Sequence, residues 1–199
     1  MDINAAAAAK PKGRNTLGSL PELRGRWINK IADLVGGVPP KLPPWGLINH
    51  QIRLINPDKQ INFRLRKCPD ALKEELAEKI SRYTSAGWWV PATVRQAVPM
   101  LCVLKKNGKL CTVFDLHMQN ENMEKDISPF PDQDTIWHDV VRAAYRSKLD
   151  MSEVYKQIRV CDEDIPKTAF ATIFGTFVSW VMQQGDCNAP STPPQHSRG

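Results

Sequence analysis

The sequence has no Cys-x-x-Cys pair, no His-Glu-x-x-His and no apolar run close to the roughly twenty residues that a membrane-crossing helix needs. Its five cysteines (Cys68, Cys102, Cys111, Cys161 and Cys187) lie at least nine residues apart, odd in number and inside apolar stretches. That pattern argues against a zinc site or a disulfide framework and reads as buried free thiols in a reducing compartment. The histidines (His50, His117, His138 and His196) are scattered, with no paired-ligand spacing. The alanine run at 5–9 is too short and too weakly hydrophobic for a secretory signal. Without a signal peptide or transmembrane segment, the expected location is the cytoplasm or the nucleus. No internal repeat is visible.

What is present is enough apolar residue for a core. Over 199 residues the hydrophobic content is 42%, which suits one ordinary domain, or one and a fraction, and excludes wholesale disorder. The net charge is +6. An excess of Lys and Arg suits a polyanion such as nucleic acid, and equally an ordinary basic protein.

Periodicity divides the chain. Residues 1–20 are Ala-, Gly- and Lys-rich without a repeat and are expected to be a disordered tail. Residues 21–65 read as a Pro-rich linker and extended arm. A short helix at 21–36 runs through Leu23, Trp27, Ile31 and Leu34 and stops at Gly36-Gly37, and "VPPKLPPWG" follows with four prolines in nine residues. The compact part is expected to begin near Arg66 and to run to Thr192. In "CPDALKEELAEKISRYTSAG", Leu72, Leu76, Ile80 and Tyr83 recur every three or four residues and Gly87 ends the run, which predicts an amphipathic helix. "PMLCVLKKNGKLCTVFDLH" predicts strands at about 99–105 and 109–115 joined by a two-residue Asn107-Gly108 turn with positive φ at both positions. "PFPDQDTIWHDVVRAAYR" predicts a second helix capped by Asp132 or Asp134, with Ile136, Val140, Val141 and Ala144 on one side. "SKLDM" and "YKQIRV" read as short strands, "TAFATIFGTFVSWVM" as a hairpin broken at Gly175, and 193–199 as an aberrant unstructured tail.

Three places could carry chemistry. Asp150 closes the apolar segment "RSKLD", and a carboxylate on a rigid strand end suits a hard cation, although a surface aspartate would read the same. Lys105, Lys106 and Lys109 crowd one tight turn, either to meet phosphates or as an ordinary solvated tip. Gln184 and Gly185 follow an apolar strand, either against a ligand or as a plain turn.

In this order these segments resemble one family. "QAVPMLCVLKKNGKLCTVFDLHMQN" is similar to the fingers of reverse transcriptases. "PFPDQDTI", "YRSKLDMSEVYKQIRV" and "KTAFATIFGTFVSWVMQQGDCNAP" resemble the family's Pro-x-Pro segment, first catalytic palm motif and glycine-containing template motif. The likeness covers about residues 33–192, points to the gypsy class of LTR retrotransposons, and extends to "LPPWGLINHQIRL", similar to their protease-to-polymerase arm. It implies an α+β, right-hand polymerase fold reduced to the fingers and the N-terminal part of the palm. It further implies an RNA-directed DNA polymerase that works with two Mg²⁺ ions on an RNA or DNA template–primer and dNTPs. By the same resemblance, Asp150 is the first metal-binding catalytic aspartate and Met151 offers its carbonyl to Mg²⁺. Glu153 and Val154 present backbone N–H groups to the triphosphate, and Tyr155 excludes a ribose 2′-hydroxyl. Lys105 or Lys106 meets the triphosphate, Gln184 the nucleotide, and Asn120 and Gly185 the template or primer.

The chain departs from the family pattern in several places. Cys111 stands where an arginine usually grips the triphosphate; losing such a charge-assisted contact costs roughly 1.5–3 kcal/mol. His117 replaces a usual arginine, Met123 a common threonine, and Val154 a small residue. After "NAPST" the family continues "FQ" into a helix and reaches a Tyr-x-Asp-Asp with the second metal aspartate. Here Pro193-Pro194 follow, and no Tyr-x-Asp-Asp occurs. The sequence therefore leaves three readings: a polymerase segment that is inactive by itself, a basic nucleic-acid-binding fragment, or a transposon relic without a role.

Overall fold

The computed structural model describes residues 19–30, 32, 40–61, 63–127, 132–143, 146 and 153–192. Of the tail expected to be disordered, 1–20, residues 1–18 lie outside the described residues and Leu20 already begins a helix; 193–199, the Gly36-Gly37 stop, the "SKLDM" strand, Asp150 and Met151 also lie outside them. The chain divides into two compact units, one of 1–38 with 129–152 and the other of 39–128 with 153–199.

The first unit contributes two described helices. Helix α1, Leu20–Lys30, begins where the Glu22 carboxylate accepts the Ser19 N–H at 2.7 Å, a contact that holds the carboxyl below its ordinary range. The helix containing Ile136 and Val140 (α4 below) spans Gln133–Arg142 and is capped by Asp132, which accepts the Asp134 N–H at 3.1 Å. Of the two expected caps it is therefore Asp132 that serves.

The second unit holds a five-stranded sheet with one helix packed on it. A 3-10 turn at Asp70–Leu72 leads into α2, Lys73–Ser85. Leu72, Leu76, Ile80 and Tyr83 are all buried, each apolar side chain contributing about 1.5–3 kcal/mol. At the end of α2 the Gly87 N–H bonds the Thr84 carbonyl at 2.9 Å and the Trp88 N–H bonds the Tyr83 carbonyl at 3.0 Å. With Gly87 at φ 74° this is a Schellman stop, for which a side chain at that position would be strained.

Strand β1, Trp89–Pro91, was not foreseen. It is an edge strand, where Pro91 removes no ladder donor. β2 (Val98–Leu104) and β3 (Leu110–Phe114) form the expected hairpin, α3 (His117–Glu121) follows, and α4 is the capped helix of the first unit. β4 (Phe170–Thr172) and β5 (Gly175–Ser179) form the hairpin expected around Gly175. The sheet order is β1-β5-β4-β2-β3, with β2 and β4 parallel (Val98 opposite Phe170) and the other pairs antiparallel. Phe170 sits at the centre, its ring 4.8 Å from both Trp89 and Phe114. The contact with Trp89 is edge-to-face and that with Phe114 tilted, and such aromatic pairs add to the area they bury.

Three expectations are corrected. The β2–β3 turn is not a two-residue turn with two positive φ values. The Gly108 N–H bonds the Lys105 carbonyl at 2.9 Å, the Lys105 N–H bonds the Lys109 carbonyl at 2.8 Å, and only Gly108 has positive φ, 79°. This is a three-residue loop of Lys106, Asn107 and Gly108 with a glycine bulge, which needs just one left-handed residue. "YKQIRV" is not a strand throughout. Val154–Gln157 is a 3-10 turn, and only Arg159 and Val160 make isolated bridges, to Val181 and His50. Lastly, compactness does not begin near Arg66. His50 and Ile52 are buried in the same unit, the His50 N–H bonds the Arg159 carbonyl at 2.8 Å, and Leu54 bridges Met123. The arm is held because its backbone groups find partners: Asp164 accepts the Ile52 N–H at 2.9 Å while Lys167 donates to the Ile52 carbonyl at 2.7 Å.

Candidate functional site

Two segments gather most of the described candidates: the turn that starts at Glu153, and the loop that follows β5. Glu153 has φ 49°, the one positive value at a non-glycine among the described residues. That conformation costs a side-chain-bearing residue about 1–2 kcal/mol. It is offset locally, because Glu153 Oε1 accepts the Tyr83 hydroxyl at 2.9 Å and lies 3.3 Å from Lys156 Nζ. Burial first, and then the bond to Glu153, push the Tyr83 phenol up to about 12, so it stays protonated and donates. Val154 and Tyr155 follow in the 3-10 turn, where Tyr155 packs on a small core of Ile158, Met182 and Ala189.

The loop after β5 carries Gln184 and Gly185, both exposed, with Gly185 at φ 104°. Asn120, at the end of α3, holds this loop from both sides. Its Nδ2 donates to the Gly185 carbonyl at 2.9 Å, and its Oδ1 accepts the Cys187 N–H at 3.0 Å. Asn120 and Gly185, read separately in the sequence, are thus bonded partners. Asn188 secures the other end: buried, it accepts the Asp126 N–H at 3.0 Å and donates to the Glu124 carbonyl at 2.8 Å. Beneath the loop, His50 Nε2 lies 3.3 Å from Asp186 Oδ2, and both side chains are buried.

Lys105 and Lys106 sit at the exposed hairpin tip and meet none of the other candidates in a hydrogen bond or ion pair among the described residues. Cys111, half-buried on β3, pairs with Val103 on the face of the hairpin opposite Thr112. Among the described residues no group of three or more His, Cys, Asp or Glu side chains could hold a metal ion. The expected Mg²⁺ ligands, Asp150 and Met151, lie outside those residues. Sequence reading missed Lys79, Tyr83 and Lys156 as a group, because a lysine on a charged helix face looks solvated until its neighbour is known. A groove of about 440 Å³ between the arm and β2 is lined in part by Lys59, Gln96 and Asn122. Two of its polar side chains are already engaged: Asn122 Nδ2 donates to the Asn56 carbonyl at 2.8 Å and Gln96 Nε2 to the Lys59 carbonyl at 3.3 Å.

No protein-family model matches the chain. In sequence it is similar to transposon polyproteins, and in fold to a viral protease–reverse transcriptase. It is 26% identical over 152 residues to the transposon Tf2-3 polyprotein of Schizosaccharomyces pombe, and to the same extent to the Tf2-7 polyprotein. The match covers 76% of this chain and 11% of the polyprotein, so the chain spans about a tenth of those relatives. The fold matches prototype foamy virus protease–reverse transcriptase with a TM-score of 0.72 at 17% identity, over 88% of this chain and 24% of the viral one. It also matches that enzyme in complex with double-stranded DNA (TM-score 0.67, 17% identity, 88% and 35% covered). A third match is the complex with an RNA/DNA hybrid (TM-score 0.67, 15% identity, 87% and 24% covered). No helix among the described residues is long and apolar enough to cross a membrane.

Proposed function

We propose that this chain is the fingers and first part of the palm of a reverse transcriptase from a gypsy-class LTR retrotransposon polyprotein, and that it binds a template–primer duplex. The observation that supports this reading is that two likenesses, one in sequence and one in fold, each cover most of the chain. The sequence follows Tf2 polyproteins across 152 residues, and the fold follows foamy virus protease–reverse transcriptase across 88% of the chain. In this reading the exposed lysines of the β2–β3 tip neutralise phosphates, and the Asn120-anchored loop presents Gln184 and Gly185 to a base pair. Asp150 and the Met151 carbonyl would hold Mg²⁺, which supplies charge neutralisation at a phosphoryl group. Tyr155, packed on Ile158, Met182 and Ala189, would crowd a 2′-hydroxyl. Because these 199 residues contain one motif aspartate and no Tyr-x-Asp-Asp, the chain by itself is expected to bind without extending a primer.

The test is fluorescence anisotropy with a labelled RNA–DNA template–primer. The expected result is saturable binding that weakens about tenfold or more when Lys105 and Lys106 are both replaced by Ala. Binding that is absent, or indifferent to the two lysines, contradicts the reading. Primer extension by the wild-type chain with Mg²⁺ and dNTPs would overturn the inactivity assigned to it.

A further inference from the structure

One cluster in the second unit gathers more positive charge than it neutralises. Lys79 and Arg82 on α2 and Lys156 in the 3-10 turn surround Tyr83. Lys79 Nζ is 5.4 Å, the Arg82 guanidinium carbon 5.2 Å and Lys156 Nζ 4.9 Å from the ring centroid. Of the carboxylates nearby, Glu153 reaches Lys156 at 3.3 Å, whereas Glu75, one turn before Lys79, is occupied by the Leu110 N–H at 2.7 Å. Lys79 makes one hydrogen bond, to Thr112 Oγ1 at 2.7 Å, which leaves two ammonium hydrogens without a described acceptor. Both lysines are half-buried. Burial, and next the charge of Lys156, hold the Lys79 ammonium below the ordinary lysine range, and burial does the same to Lys156. Thr112 faces this cluster while Cys111 points to the other face of the hairpin.

Glu153 enters the cluster from a strained backbone, and its carboxylate receives there what an anionic oxygen requires: a hydroxyl donor and an ammonium partner. We propose that Lys79, Arg82 and Lys156 form a binding site for a phosphate group, in which the Glu153 carboxylate is the resident competitor. A phosphate brings more charge and more acceptor oxygens than one carboxylate. It would engage the ammonium hydrogens of Lys79 that have no acceptor among the described residues and displace Glu153 from Lys156. The proposal uses neither the hairpin tip nor Asp150; it shares with the reverse-transcriptase reading only Glu153, whose backbone N–H that reading sets against a triphosphate, and it is argued from the side chains around Tyr83.

The experiment is isothermal titration of the full 199-residue chain with inorganic pyrophosphate. Lys79→Gln and Lys156→Gln are each expected to weaken binding about tenfold, and Glu153→Gln to strengthen it about threefold or more. Gln variants that bind like the wild type, a Glu153→Gln variant that binds more weakly, or no binding by either the wild type or Glu153→Gln overturns the proposal. Should a lysine variant fail to fold by circular dichroism, the Glu153→Gln result alone decides. Competition by oligothymidylate identifies the source of the phosphate: displacement of pyrophosphate assigns the site to a nucleic-acid backbone, and failure to displace assigns it to a free oligophosphate, either result supporting the site. Template–primer binding, measured separately, shows whether the reverse-transcriptase reading fails while this site stands, or the reverse.

Discussion

Asn188 carries the loop that presents Gln184 and Gly185. Buried, it satisfies the Asp126 N–H and the Glu124 carbonyl at once. Asn188→Ala leaves both backbone groups without a partner, and a buried unsatisfied group costs about 1–3 kcal/mol. Urea melts are expected to show a loss of about 2 kcal/mol or more, and a loss near zero would mean the loop is not held there. Tyr83 offers a titration test. Its phenol is raised in the folded chain, to about 12, so its contribution to stability is fully present below the ordinary tyrosine value near 10 and is lost as pH rises through about 12. Ultraviolet difference titration should show a phenol ionising near 12 that disappears in Tyr83→Phe; a wild-type curve with all three tyrosines near 10 contradicts the burial argument. Neither residue announces itself in sequence. Asn188 stands in a string that reads as a turn, and the hydroxyl of Tyr83 looks like the rim of an apolar face until Glu153 arrives from 70 residues away.

Among the elements, α2 and the two hairpins were legible because their information is local. A three-to-four-residue apolar repeat ended by Gly87, and two apolar runs joined by Asn107-Gly108, need no distant partner to be recognised. Gly87→Ala should cost about 1 kcal/mol in a thermal or urea melt, because φ 74° is left-handed, and Gly87→Asn should cost less. Equal stability of Gly87→Ala and wild type would contradict the Schellman stop. The arm was not legible in the same way. "INHQIRLIN" mixes polar and apolar residues and reads as a connector, yet His50 and Ile52 are buried. What places them is a set of partners far along the chain: Arg159, Asp164 and Lys167. The hairpin turn shows a finer limit, since Asn-Gly is compatible with both loop lengths and the ladder register decides between them.

At the scale of the whole molecule, the sheet is assembled from non-local pairings. β2 lies parallel to β4, although the residues that pair, Val98 and Phe170, are far apart in sequence. No periodicity in the sequence reveals that crossover, because the pattern of each strand is local and its partner is not. The candidate residues divide accordingly. Asn120, Gly185 and Glu153 occupy defined places, Lys105 and Lys106 stand on an exposed tip, and Asp150 and Met151 are outside the described residues. The central claim is therefore one of binding to nucleic acid, and salt is its most direct probe. Anisotropy with an RNA–DNA template–primer, from about 50 to 200 mM salt, should give a log affinity that falls linearly with log salt. Replacing Lys105 and Lys106 with Ala should make that slope shallower by about 2, one counterion for each phosphate contact removed. No binding at about 50 mM salt, or a slope unchanged by the double variant, would contradict the account.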